Sequence, residues 1–108
     1  MLIVSTTVYA QNNRSFVSTT GSDANNCTAG NECRSFTRAM AVTNPGGEII
    51  AITSGGYGAF SVPMSVTVMG APGVAASLSA TSGSGISIIA GLTDHVVIRA
   101  LNINAPVA

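Results

Sequence analysis

Lysine and tryptophan are absent from this chain of 108 residues, and its aromatics are three Phe and two Tyr. A core built with so few large rings must draw on Val, Ile, Leu, Ala and Met, which suits thin, regularly layered structures better than a bulky globular interior. Charge is equally sparse: Arg14, Arg34, Arg38 and Arg99 stand against Asp23, Glu32, Glu48 and Asp94. With a balanced charge and no basic patch, the chain lacks the phosphate contacts that drive nucleic-acid binding and the polybasic segment that anchors to anionic membranes. No apolar run approaches the roughly 20 residues that a membrane-spanning helix needs. Disorder is excluded too, because 46% of the residues are hydrophobic. The length suffices for one domain, and surface polarity falls to Ser, Thr, Asn and Gly.

What is present begins with "MLIVSTTVYA". Ala10 and Val8 fit the small-residue rule of a signal-peptidase site, although no Lys or Arg follows Met1. The stretch reads as a clipped signal peptide over residues 1–10, with an ordinary N-terminal strand as the other reading. "SFVST" (15–19) alternates as a short strand, and "TGSDANNCTAGNEC" is a loop of turn residues. In "SFTRAMAVT", Phe36, Ala39 and Met40 recur at i, i+3 and i+4, an apolar stripe of two helical turns with Ser35 as N-cap. "NPGG" (44–47) is expected to stop this helix.

Beyond it the pattern is β. "EIIAIT", "AFSV", "SVTVMG", "AASLSA", "GISIIA" and "HVVIRALNIN" are separated by "SGGYG", "APG", "TSGSG" and "GLTD". Alternation marks Ile50 and Ile52, Val66 and Val68, Ile86 and Ile88, Val96 and Ile98, and Leu101 and Ile103 as the buried pairs. "SVTVMG" (65–70) aligns with "HVVIRA" (95–100) at an offset of 30 residues. Such a period suits a solenoid turn, while a sandwich also gives short strands at similar spacing.

The stretch "RSFVSTTGSDANNCTAGNECRSFTRAMAVTNPGGEIIAITSGGYG" (14–58) resembles the N-terminal part of secreted bacterial right-handed parallel β-helix proteins, the pectate-lyase-like superfamily. "SVTVMGAPG" and "HVVIRALNIN" resemble that family's recurrent coil. The resemblance implies an all-β chain, a right-handed parallel β-helix (solenoid), short or truncated, with a short N-terminal capping helix. It divides the chain into a leader (1–10), a strand, loop and cap helix (11–47), and the first two to three coils (48–108). Phe36, Ala39 and Met40 would cover the open first coil. The superfamily holds lyases, hydrolases, adhesins and surface proteins alike, so the resemblance bears on fold far more than on activity.

Cys27 and Cys33, the only cysteines, lie in the loop. A zinc site lacks ligands, with His95 the only further candidate, and the spacing is not the C-x-x-C of redox motifs. A disulfide is the simplest reading in an exported chain, with free thiols as the alternative. Catalytic chemistry is hard to place. Ca²⁺ takes about six to eight oxygens, and a glycosidase needs two carboxyls about 5 to 10 Å apart, whereas the four acids here are scattered. Glu48 and Asp94 would have to be brought together by stacking. In "TDHVVIR", His95 and Arg99 share the strand face opposite Val96 and Ile98, with Asp94 at the turn before them. These three are the ligand-contact candidates, for an anionic sugar or carboxylate, against the reading of a solvated face on which Asp94 and Arg99 neutralise each other. Asn102 and Asn104 are expected at coil corners. In a bacterial chain, as the resemblance implies, the sequons at Asn13 and Asn26 carry little weight.

The expected function is a non-catalytic structural or capping module of an exported β-helix surface or adhesion-type protein, contacting glycan. The alternative is the N-terminal fragment of a polysaccharide lyase or glycoside hydrolase that lacks its catalytic coils. No catalytic residue, metal or cofactor is expected. Polysaccharide, further coils, or self-association through the open solenoid end are the expected partners, and the expected location is secreted or at the cell surface.

Overall fold

The computed structural model describes residues 11–79 and 85–104; residues 1–10, where a leader is expected, 80–84 and the closing "APVA" lie outside the described residues. The only helix among them, α1 (Phe36–Val42), forms for local reasons. Ser35 is extended, and its hydroxyl accepts from the Arg38 amide at 3.1 Å, which supplies the N-cap. Phe36, Ala39 and Met40 form the buried face, as their spacing predicts. The helix ends before "NPGG". Thr43 is already extended, and its hydroxyl donates to the Ala39 carbonyl at 2.6 Å, satisfying an acceptor that the last turn leaves open.

"NPGG" therefore belongs to the next strand, β2 (Thr43–Ala51), which pairs in parallel with β1 (Asn12–Val17). Asn12 faces Thr43 and Arg14 faces Glu48, so Asn13 opposes four residues of a bulge. Gly47 is required there: a Cβ would come within 2.8 Å of the Asn13 carbonyl oxygen and 2.9 Å of that of Asn44.

The remaining strands are β3 (Gly55–Gly58), β4 (Phe60–Val62), β5 (Val66–Gly70), β6 (Ala76–Ser79), β7 (Ile86–Ile88), β8 (Val96–Arg99) and β9 (Leu101–Asn104). Among the described residues the chain is all-β apart from α1, and every strand pairing is parallel. A first sheet has the order β1-β2-β5-β8, a second β3-β6-β9, and a third β4-β7. From β2 onward the chain visits the first, second and third sheets in the same order each time. The 30-residue offset is seen directly, with Val66 opposite Val96 and Val68 opposite Ile98. The preceding step is shorter, since Glu48 faces Thr67, 19 residues on.

Register places side chains in columns. Ser15, Ile49, Val68 and Ile98 form one interior column, and Val17, Ala51 and Gly70 another. Tyr57, Leu78 and Ile103 line up in the second sheet, and Val62 and Ile88 in the third. Two sequence readings are corrected here. The buried pair of β2 is Ile49 and Ala51, whereas Ile50 is half-buried and Ile52 exposed on the outer face. "SGGYG", read as a break, contains β3, whose Tyr57 is part of the core. The first arises because a run such as "EIIAI" offers two alternating sets and only packing selects one, the second because "SGGYG" is mostly glycine and shows no alternation.

Candidate functional site

The segment from Ser18 to Val42 carries many hydrogen bonds and meets the first strand of each of the three sheets. Its first part lies along the free edge of β1. The Phe16 amide donates to the Cys27 carbonyl at 2.7 Å, the Cys33 amide to the Phe16 carbonyl at 3.2 Å, and the Ser18 amide to the Cys33 carbonyl at 2.9 Å. Cys27 and Cys33 are joined by a disulfide, fully buried, with Cα atoms 4.6 Å apart. Chain-entropy arithmetic for so small a loop gives it about 2 kcal/mol of stabilisation. Cys27 also has φ 67°, a left-handed conformation that the crosslink helps to hold.

Asp23 fastens this loop to the start of α1. One carboxylate oxygen accepts from the Arg34 and Ser35 amides and the other from the Ser35 hydroxyl, all at 2.9 Å. Partial burial pushes this carboxyl up, but the Ser35 hydroxyl, the two amides and the Arg34 charge outweigh it, so the group sits below the ordinary carboxylate range. Arg34 reaches the edge of β3: its guanidinium lies 5.4 Å from the Tyr57 ring centroid and donates to the Gly56 carbonyl at 2.9 Å. Phe36 then enters the interior, 5.2 Å from Tyr57 and 4.8 Å from Phe60 between ring centroids. Behind it, Ser15 and Thr43, both buried, share a hydroxyl hydrogen bond of 2.6 Å. The first edges of the three sheets are thus met by the disulfide loop on β1, Arg34 on β3 and α1 on β4.

The expected ligand residues are not gathered into a site. Asp94, His95 and Arg99 are all exposed. The Asp94 carboxylate is occupied locally, accepting from the Ser65 hydroxyl at 3.1 Å and the Gly91 amide at 2.8 Å, and so it closes a turn instead of pairing with Arg99. The His95 amide donates to the Ser65 hydroxyl. Val96 and Ile98 face the core, which leaves His95 and Arg99 on the outer side as their alternation predicts. Asn102 lies within β9, exposed, and not at a corner.

The carboxylates have structural partners throughout. Glu32 accepts from the Gly30 amide, and Glu48 forms an exposed ion pair with Arg14 at 3.1 Å. Glu48 on β2 is two strands from β8, about 10 Å before any offset along the strand is added, so Glu48 and Asp94 do not form a glycosidase couple. A shallow groove of about 490 Å³ runs between α1 (Thr37, Met40, Ala41) and the third sheet (Ala59 to Ser61, Pro63, Ser87). No titratable side chain lines it, so proton transfer has no agent there. Among the described residues no cluster of three or more His, Cys, Asp or Glu is placed to hold a metal ion. No helix among them is long and apolar enough to cross a membrane.

Sequence reading found the cysteines and the helical stripe but missed Asp23, Arg34, Tyr57 and Phe60. The signal for Arg34 was the "RSF" beside Cys33, a cation next to an N-cap; for the two rings it was only their rarity. The disulfide is the chemistry of an oxidising compartment, consistent with an extracytoplasmic location. Comparison of the chain with protein-family models, with curated proteins and with solved structures gave no match.

Proposed function

We propose that this chain is a non-catalytic end module of an exported right-handed parallel β-helix protein of the pectate-lyase-like type, and that residues 18–42 act as its cap. The observation that carries this reading is the threefold covering of the first edges by one continuous segment, with Phe36 set between Tyr57 and Phe60. A parallel sheet edge left bare is a template for association, so a solenoid requires such a closure. The fixed order in which the strands visit the three sheets supports a three-sided coil. The local engagement of all four carboxylates supports a structural role over a catalytic one.

The test is to open the cap in the 108-residue chain with Cys27→Ser, Cys33→Ser and Phe36→Ser together. Light scattering and electron microscopy should then show self-associated assemblies of retained β-content, because the first edges of the sheets are now bare. A variant that keeps the size and β-signal of the wild type, or one that simply unfolds to a monomer, would count against a capping role.

A further inference from the structure

Between Asn25 and Glu32 the loop of the cap makes a strap, residues 26–31. The neck of this strap is closed without the crosslink. The Asn25 side chain donates to the Glu32 carbonyl at 2.8 Å, and the Ser22 amide donates to the same oxygen at 3.1 Å. Arg38 of α1 holds the Asn25 carbonyl at 3.1 Å. Cys33, just past the neck, is held as firmly. It bridges Val17 in parallel, donates to the Phe16 carbonyl and accepts from the Ser18 amide. The Arg34 and Ser35 amides that follow it are bound by Asp23.

The strap itself has fewer ties. Among the described residues, its polar contacts with β1 are the Asn12 side chain on the Asn26 carbonyl and the Phe16 amide on the Cys27 carbonyl, both 2.7 Å. Its remaining hydrogen bonds are internal or reach Glu32. Cys27 is the one buried residue of the strap, and it carries the left-handed φ of 67°. An L residue leaves that region when nothing holds it, because its Cβ crowds the following carbonyl oxygen. Loop closure therefore does not depend on the disulfide. What the bond adds is to keep Cys27 in place, and with it the carbonyl that occupies the Phe16 amide.

We propose that residues 26–31 are a redox-set strap: the Cys27–Cys33 bond seats it on β1, and reduction lifts it from the Phe16 amide while Cys33 and α1 stay bound. The inference rests on the capping reading of residues 18–42 and gives that cap a second stage of closure. Seating is a thiol–disulfide exchange. The two cysteine thiols give up two protons and two electrons to an external disulfide, whose S–S bond breaks into two thiols as the Cys27–Cys33 bond forms. In the reduced chain the Phe16 amide is an unpaired edge donor, so β1 is fully covered only in an oxidising compartment. Once formed, the bond is buried, and a reductant reaches its sulfurs only after the strap lifts.

The test compares amide hydrogen exchange in the oxidised 108-residue chain with two double variants, Cys27→Ala with Cys33→Ala, and Cys27→Gly with Cys33→Ala. In the first variant the Phe16 amide should exchange at least about tenfold faster. The Ser18 and Ile52 amides, held by the Cys33 and Val17 carbonyls, should keep their protection. Cys27→Gly should slow Phe16 exchange at least about threefold relative to Cys27→Ala, because glycine adopts positive φ without steric cost. In the wild-type chain reduced by a small dithiol, Cys27 should alkylate at least about tenfold faster than Cys33. Unchanged protection of Phe16, equal losses at Phe16 and Ser18, or no difference between Cys27→Gly and Cys27→Ala overturns the strap. Equal alkylation of the two thiols, which an unfolded reduced chain would give, overturns it as well. These readouts are local to the loop, so the strap can fail while the association test of the cap succeeds, and the reverse.

Discussion

Asp23 shows how one side chain can join a loop to a helix. Its carboxylate takes three hydrogen bonds from Arg34 and Ser35, and these favour the charged form over the neutral one. Its folded pKa is therefore lowered, and the sign of the linkage follows. The contribution to stability is complete above the pKa of the unfolded carboxyl, about 3.9, and is lost as pH falls through the lower folded value. Asp23→Asn, which keeps the shape and removes the charge, should melt a few degrees below the wild type at neutral pH. The two melting curves should converge in acid below pH ~4. Parallel melting curves from neutral to strongly acidic pH would mean that the charge of Asp23 does nothing for the fold.

Elements tell a different story from residues, because here the turn chemistry decides where strands begin. The bulge of β2 is stitched to the chain around it by the Gly46 amide, which donates to the Ser65 carbonyl at 2.7 Å, and by the Asn44 side chain, which donates to the Asn13 side chain at 2.9 Å. Gly47 sits where a methyl group would strike two carbonyl oxygens and the Thr43 methyl, and backbone cannot move aside as a flexible side chain can. Gly47→Ala should cost about 2 kcal/mol in denaturant unfolding, in the range of overpacked cores, while Gly56→Ala, in open space on β3, should cost under 1 kcal/mol. Equal losses would place the bulge outside the cooperative fold. These two positions also mark what the sequence can and cannot reveal. The Phe36, Ala39, Met40 stripe with its Ser35 cap is local chemistry and was readable. So was the offset between 65–70 and 95–100, where Val and Ile leave only one alternating set. In contrast, although "NPGG" does end the helix, the strand pairing of "NPGG" and "SGGYG" is not legible, because glycine carries no side chain to reveal it. Their strand character comes from neighbours far off in sequence. The cap contacts were hidden for the same reason: Arg34 meets Gly56 22 residues away, and Asp23 meets Ser35 across the disulfide loop.

At the scale of the whole molecule, the pairing runs strand to strand within each sheet, β1 to β2 to β5 to β8, β3 to β6 to β9 and β4 to β7, so stability is carried largely from neighbour to neighbour. One end is closed by a disulfide, three packed rings and a set of hydroxyl bonds; the other ends in half-covered aliphatics. Opening should therefore be graded along the stack. Native-state hydrogen exchange should find the amides of Val17, Ile49 and Val68 protected to near the global unfolding free energy, and those of β8 and β9 exchanging earlier by partial opening. Uniform protection of β2, β5 and β8 in dilute protein would mean that the far end unfolds only with the rest. In that case the aliphatic side chains of β7, β8 and β9 would belong to the fully cooperative fold and not to its loosest layer.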